Sequence, residues 1–158
     1  HDGGPKLPYD NHLEGSVERI GRLCRLIDNS VELIIHLCYG DPGHQHIVNP
    51  TDLGTSVAFA NGICNASPRQ IDAVHMPVVR SRTDDNYFKP LEDLSIPVGT
   101  KLILGLVHHT DGVEGGRTRM TAANKYVSDY DIATECGFGR RDPVTIRELL
   151  QIHRDLCT

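Results

Sequence analysis

The chain has no surplus of basic residues: 16 Lys and Arg stand against 21 Asp and Glu, a formal net charge of −5. Nucleic acid is held by a basic face that neutralises phosphates, so this balance argues against a nucleic-acid partner. No run approaches the roughly 18–20 apolar residues that a helix needs to cross a bilayer, which argues against a membrane partner. The opening residues lack the charged segment followed by an apolar one that marks a secretory signal. A first residue of His rather than Met is expected of a cut or processed chain. The cysteines, at 24, 38, 64, 136 and 157, are odd in number and widely spaced. They do not form the even framework of a disulfide-stapled secreted domain, and a reducing, cytoplasmic setting is expected.

What is present suffices for one core. The 158 residues are 39% hydrophobic and 23% charged, which fits one domain or about half of a larger one. Residues 1–11 carry two glycines and two prolines without an apolar period, and read as a flexible arm. Leu13, Val17, Ile20, Cys24 and Ile27 recur at intervals of three and four, the stripe of a helix. Residues 31–38 are short, apolar and rich in branched side chains, and read as a buried strand. Asn49-Pro50 has the form of a helix start, with the helix running to about Ala66. Further strands are expected at 71–78, 101–108 and 131–136. A short helix within 84–94 has Pro90 against it. A glycine-rich loop at 110–116 precedes a helix at about 117–128. Asp142-Pro143 caps a last helix with Ile146, Leu149, Leu150 and Leu156 on one side.

The order is therefore a helix followed by four strand–loop–helix repeats. Strict alternation implies a parallel sheet, and buried parallel strands read as continuous apolar runs, as these do. The fold class is α/β. Two architectures fit: a small open doubly wound sheet, or half of a (β/α)8 TIM-type barrel with residues 12–158 as a single (β/α)4 domain. A full barrel takes about 250 residues, so four strands would need completion by a homodimer partner, by a second half-barrel chain or by a missing N-terminal half. Open sheet edges invite such pairing.

The chemically active side chains gather at strand ends. His36 and Cys38 end the first strand; His75 and Arg80 flank the end of the second. His108, His109, Thr110 and Asp111 end the third, and Glu135 and Cys136 end the fourth. In parallel α/β folds the carboxyl edge is where ligands bind. His36 and Cys38 are two apart and project to one face of a strand. An imidazole and a thiolate so placed are able to share a metal, with Cys136 as a third ligand; buried core packing is the alternative. A His beside an Asp suits proton transfer, which makes His109, Asp111 and His108 the catalytic candidates. Tyr39, His75, Arg80, Glu114 and Arg140 are the candidate contacts to a small-molecule substrate, the arginines as grips for a carboxylate. His44 and His46 read as loop residues.

Ile-His-Leu-Cys-Tyr at 35–39 resembles the His-x-Cys-Tyr strand end of cobalamin-independent methionine synthase. Glu-Cys-Gly at 135–137 resembles that family's last zinc cysteine, and 105–115 lies where the family carries its catalytic His. The likeness spans about residues 30–157 and is nearest to uncharacterised members of the superfamily that also includes uroporphyrinogen decarboxylase. The resemblance implies the C-terminal half of a barrel, with zinc held by His36, Cys38 and Cys136. It implies that His109 is the acid protonating a departing pterin nitrogen, while zinc keeps an acceptor thiol as thiolate for methyl transfer. Pro77 stands where the family has a glutamate ligand. That leaves an open position on the metal, a substitute ligand in His75, or a lost metal site. In the last case a lyase, isomerase or hydrolase of small carbonyl or carboxylate compounds, using His109 with Asp111 or Glu114, is the alternative. A non-catalytic half-barrel assembly module is the third.

Overall fold

Asn11 opens the first helix, α1 (His12–Cys24), its side-chain oxygen accepting from the Glu14 amide at 3.2 Å. Such a cap satisfies a helix amide that has no partner within the helix. A computed structural model describes residues 11–40, 42, 46–134 and 136–158 of the chain. The arm at 1–10, His44 and Glu135 lie outside the described residues.

The first strand, β1 (Ile34–His36), is shorter than the apolar run at 31–38. Leu33 is held by Asp72 instead of by a strand ladder: the Asp72 carboxylate accepts from the Leu33 amide at 2.7 Å, and the Asp72 amide donates to the Leu33 carbonyl at 2.9 Å. Helix α2 (Gly54–Ala66) begins after the expected Asn49-Pro50 start. Asp52 accepts from the Gly54 amide at 2.8 Å, and this local turn competes with helix over the preceding residues. Next come β2 (Ala73–Pro77) and a single helical turn, α3 (Asp85–Phe88), capped by Asp84. Pro90 sits at the start of a 3-10 segment, Lys89–Asp93, where its missing N–H takes no bond from the backbone.

After β3 (Lys101–Val107), helix α4 (Gly112–Ala123) starts five residues before the expected Arg117. Gly115 and Gly116 make room for neighbours inside the helix. A Cβ at Gly115 would run into the Asp111 carboxylate, and one at Gly116 would come within 2.6 Å of Leu156. The chain closes with β4 (Asp131–Thr134), a 3-10 turn at Phe138–Arg140 and α5 (Pro143–Leu156). Asp142 caps α5 by accepting from the Val144 amide at 3.1 Å. The buried face of α5 is Leu149, Ile152 and Leu156; Leu150, expected on that face, is 56% exposed.

The four strands form one all-parallel sheet in the order β1-β2-β3-β4, alternating with helices. A doubly wound sheet reverses its order at a switch point, and this order contains no reversal. The register sorts the side chains into two faces. Val74, Met76, Leu102, Leu104 and Leu106 are all nearly fully buried in the main core, together with residues of α2 such as Val57, Ala60 and Ile63. The opposite face carries Ile34, His36, His75 and Ile103, all exposed or half-buried. Right-handed crossovers between sequential parallel strands place their helices on one side of the sheet, which leaves the other face open. No described helix is long and apolar enough to cross a membrane.

Candidate metal centre

The open face brings two imidazoles together. His36 and His75 are register partners on adjacent strands, so their side chains share a face. Their Nδ1 atoms are 2.9 Å apart and their ring centroids 4.8 Å apart. Burial lowers the His36 pKa from its ordinary value. Burial, and then the neighbouring His36, push His75 down to about 4, only partly opposed by the backbone of Thr134. Both rings are therefore neutral at neutral pH, the form that binds metals. The His75 Nε2 is buried and has no hydrogen-bond partner among the described residues.

Beyond the strand ends, Cys38 and Cys136 place their sulfurs 3.7 Å apart. They follow the two outer strands of the sheet. At ~4.8 Å between neighbouring strands, β1 and β4 of a flat sheet would stand about 14 Å apart. The chain must therefore turn inward at this rim, across the ends of β2 and β3. Gly137, at φ 72°, supplies the left-handed backbone that redirects the chain immediately after Cys136. One ligand atom from each of His36, Cys38 and Cys136 lies within 4.8 Å of the others, the single group of this kind among the described residues.

The donor set fits a thiophilic metal. Two sulfurs each ~2.3 Å from a tetrahedral zinc stand about 3.8 Å from one another, close to the observed sulfur separation. One neutral imidazole and two thiols suit zinc better than they suit magnesium or calcium, which prefer oxygen donors.

The remaining candidates are spread along the same rim. His109 is half-buried, and its Nε2 is 2.9 Å from a Glu148 carboxylate oxygen of α5. His108 is 3% exposed, and its Nε2 lies 2.9 Å from the Val78 carbonyl, which ties the ends of β2 and β3. Asp111 has both oxygens engaged by Arg119, at 2.6 and 2.9 Å. Burial alone would raise its pKa, but the Arg119 bonds and charge outweigh that and hold it below the ordinary carboxylate value. Arg80 donates to the Thr110 hydroxyl at 2.8 Å, across the ends of β2 and β3. The Tyr39 hydroxyl is 2.6 Å from that of Ser56, tying the segment after β1 to α2, and burial raises its pKa. Glu114 is exposed in the first turn of α4, and Arg140 is exposed on the 3-10 turn after Cys136. None of these side chains belongs to the His36, Cys38 and Cys136 group.

Two rim residues carry no obvious mark in the sequence. Arg119 is fully buried: it donates to the carbonyls of Leu106 and Arg80, at 2.9 and 2.8 Å, as well as to Asp111. Its signal is positional, since it falls with Gly116 and Ala123 on the buried stripe of α4. Glu148 lies on the polar side of α5 and is tied to the rim only through space.

A concavity of about 950 Å³ lies at the other end of the sheet, where Lys101 and Asp131 begin β3 and β4. Its lining includes Leu94, Ile96, Tyr126 and Tyr130, and no histidine or cysteine. The group of possible metal ligands lies instead at the carboxyl rim. No family model matches the chain, and neither the curated proteins nor the solved structures gave a match.

Proposed function

We propose that this chain is a small-molecule enzyme of the methionine-synthase-like superfamily, in which His36, Cys38 and Cys136 hold zinc for methyl transfer to a thiol. The observation that carries this reading is the meeting of one imidazole and two sulfurs from the two outer strands. When bound, the metal would supply a thiolate form of the acceptor at neutral pH, the stronger nucleophile. Three protein ligands leave a fourth position for that acceptor. His109 is the proton donor to the departing group, its ring oriented through Nε2 by Glu148. Asp111 fixes the start of α4 through Arg119, and so holds the adjacent His109 at the rim.

The same reading makes the domain half of a (β/α)8 barrel, closed by a second copy of this chain or by a second half-barrel chain. Support comes from the sequential strand order, the open face bearing Ile34 and Ile103, and the inward turn at the carboxyl rim. A reducing, cytoplasmic setting would keep both thiols available as ligands. A metal-free lyase, isomerase or hydrolase using His109 with Asp111 is less favoured, because both Asp111 oxygens are already engaged.

Metal analysis and turnover test the proposal together. The protein is expected to hold stoichiometric zinc, to lose it on Cys38→Ser or Cys136→Ser, and to transfer a methyl group from a methylated pterin to a thiol. His109→Ala should abolish turnover without loss of zinc or fold. Metal-free protein with full activity would eliminate the thiol-activating role. Light scattering tests closure: a well-behaved monomer at all concentrations would contradict the paired half-barrel.

A further inference from the structure

A histidine that binds a metal through one ring nitrogen needs its other nitrogen held, because that second bond fixes the tautomer and the ring orientation. At His36 the second bond is visible. The Nδ1 of His36 faces the Nδ1 of His75 at 2.9 Å, from the register-paired position on β2. Two neutral imidazoles joined through these atoms share one proton between them, so one ring donates and the other accepts.

Only one of the two arrangements leaves His36 able to bind a metal. If His75 donated, its Nε2 would be a bare, buried lone pair with no donor among the described residues. His36 would then carry its proton on Nε2, and neither of its nitrogens would be open to a metal. If His36 donates, His75 keeps its proton on Nε2. The His36 Nε2 is then left bare.

We propose that His75 is a positioning residue: by accepting from His36 Nδ1 it holds His36 in the tautomer whose Nε2 is the metal ligand, and it is not itself a ligand. The contact joins register-paired positions on β1 and β2, so the sheet sets the orientation of the ligand ring. This inference rests on the metal-centre reading above.

The test uses zinc and cobalt(II) with the full chain. His75→Phe removes the acceptor and should weaken zinc binding about 10–100-fold in competition with a chromophoric chelator, the usual effect of losing such a partner. His75→Asn places an amide oxygen near the position of Nδ1 and should recover affinity to within a few-fold of the parent. The cobalt(II) spectrum of each variant should keep its thiolate charge-transfer band. A His75→Phe protein that binds zinc as tightly as the parent would overturn the inference while leaving the centre intact. A parent chain that binds neither metal would overturn the centre itself.

A second measurement needs no variant. Nitrogen-15 correlation spectra of the ring nitrogens in the zinc-loaded protein should show His36 protonated at Nδ1 and metal-bound at Nε2, with His75 protonated at Nε2. Metal on Nδ1 of His36, or on either nitrogen of His75, would contradict the assignment.

Discussion

The sulfurs of Cys38 and Cys136 stand 3.7 Å apart although the two residues are 98 apart in sequence and follow the outer strands of the sheet. Two thiols at that distance are also poised for oxidation. One equivalent of hydrogen peroxide should remove two thiols, joining the sulfurs and releasing two waters, by way of a sulfenic acid. Mass spectrometry should find the 38–136 cross-link, and bound zinc should slow its formation. Cross-links dominated by Cys157, or a rate indifferent to zinc, would count against the proximity.

The alternation of strands and helices was legible because apolar runs and turn residues are local signals. The collection of histidines and cysteines at one rim followed from that alternation. The distance between Cys38 and Cys136 was not legible, because it depends on how the chain turns inward beyond β1 and β4. Nor was the pairing of His36 with His75, which is set by the parallel register. The start of α4 is not legible because Gly115 and Gly116 resemble loop residues, whereas contacts with Asp111 and Leu156 demand glycine inside a helix. Arg119 carries no chemical signal of its role, because a lone arginine on a helix ordinarily faces water.

Arg119→Leu should be strongly destabilising. It would leave the Asp111 carboxylate without its partner and two carbonyls without their donor. Breaking a fully buried pair costs about 3–5 kcal/mol, and the partly exposed Asp111 puts this loss toward the lower end. Equilibrium urea unfolding would measure it. A loss below about 1 kcal/mol would mean that solvent replaces the guanidinium at little cost.

Stability of the metal-free protein should fall with acid in two stages. His75 titrates near 4 in the folded state and near 6.5 when unfolded, and His36 is lowered in the same sense. Between those values the unfolded chain binds more protons, so stability is full above about pH 6.5 and declines toward pH 4. Asp111, held below its ordinary value by Arg119, adds stability above the unfolded carboxylate range that is lost as pH falls further, through its folded pKa. Denaturation midpoints from pH 7.5 to 3 would trace this course. His75→Leu should flatten the upper stage; a parent profile that is flat from pH 7 to 4.5 would contradict the buried, neutral ring.

Whether the three side chains at the ends of the two outer strands form one metal centre is decided by cobalt(II) titration of the reduced protein. Saturation is expected at one ion per chain, with a thiolate charge-transfer band of two-sulfur intensity and tetrahedral ligand-field bands, and with half the sulfur intensity after either Cys38→Ser or Cys136→Ser. A protein that takes up no cobalt, or one whose spectrum is unchanged when both cysteines are replaced, would show that the three groups meet without forming a metal site.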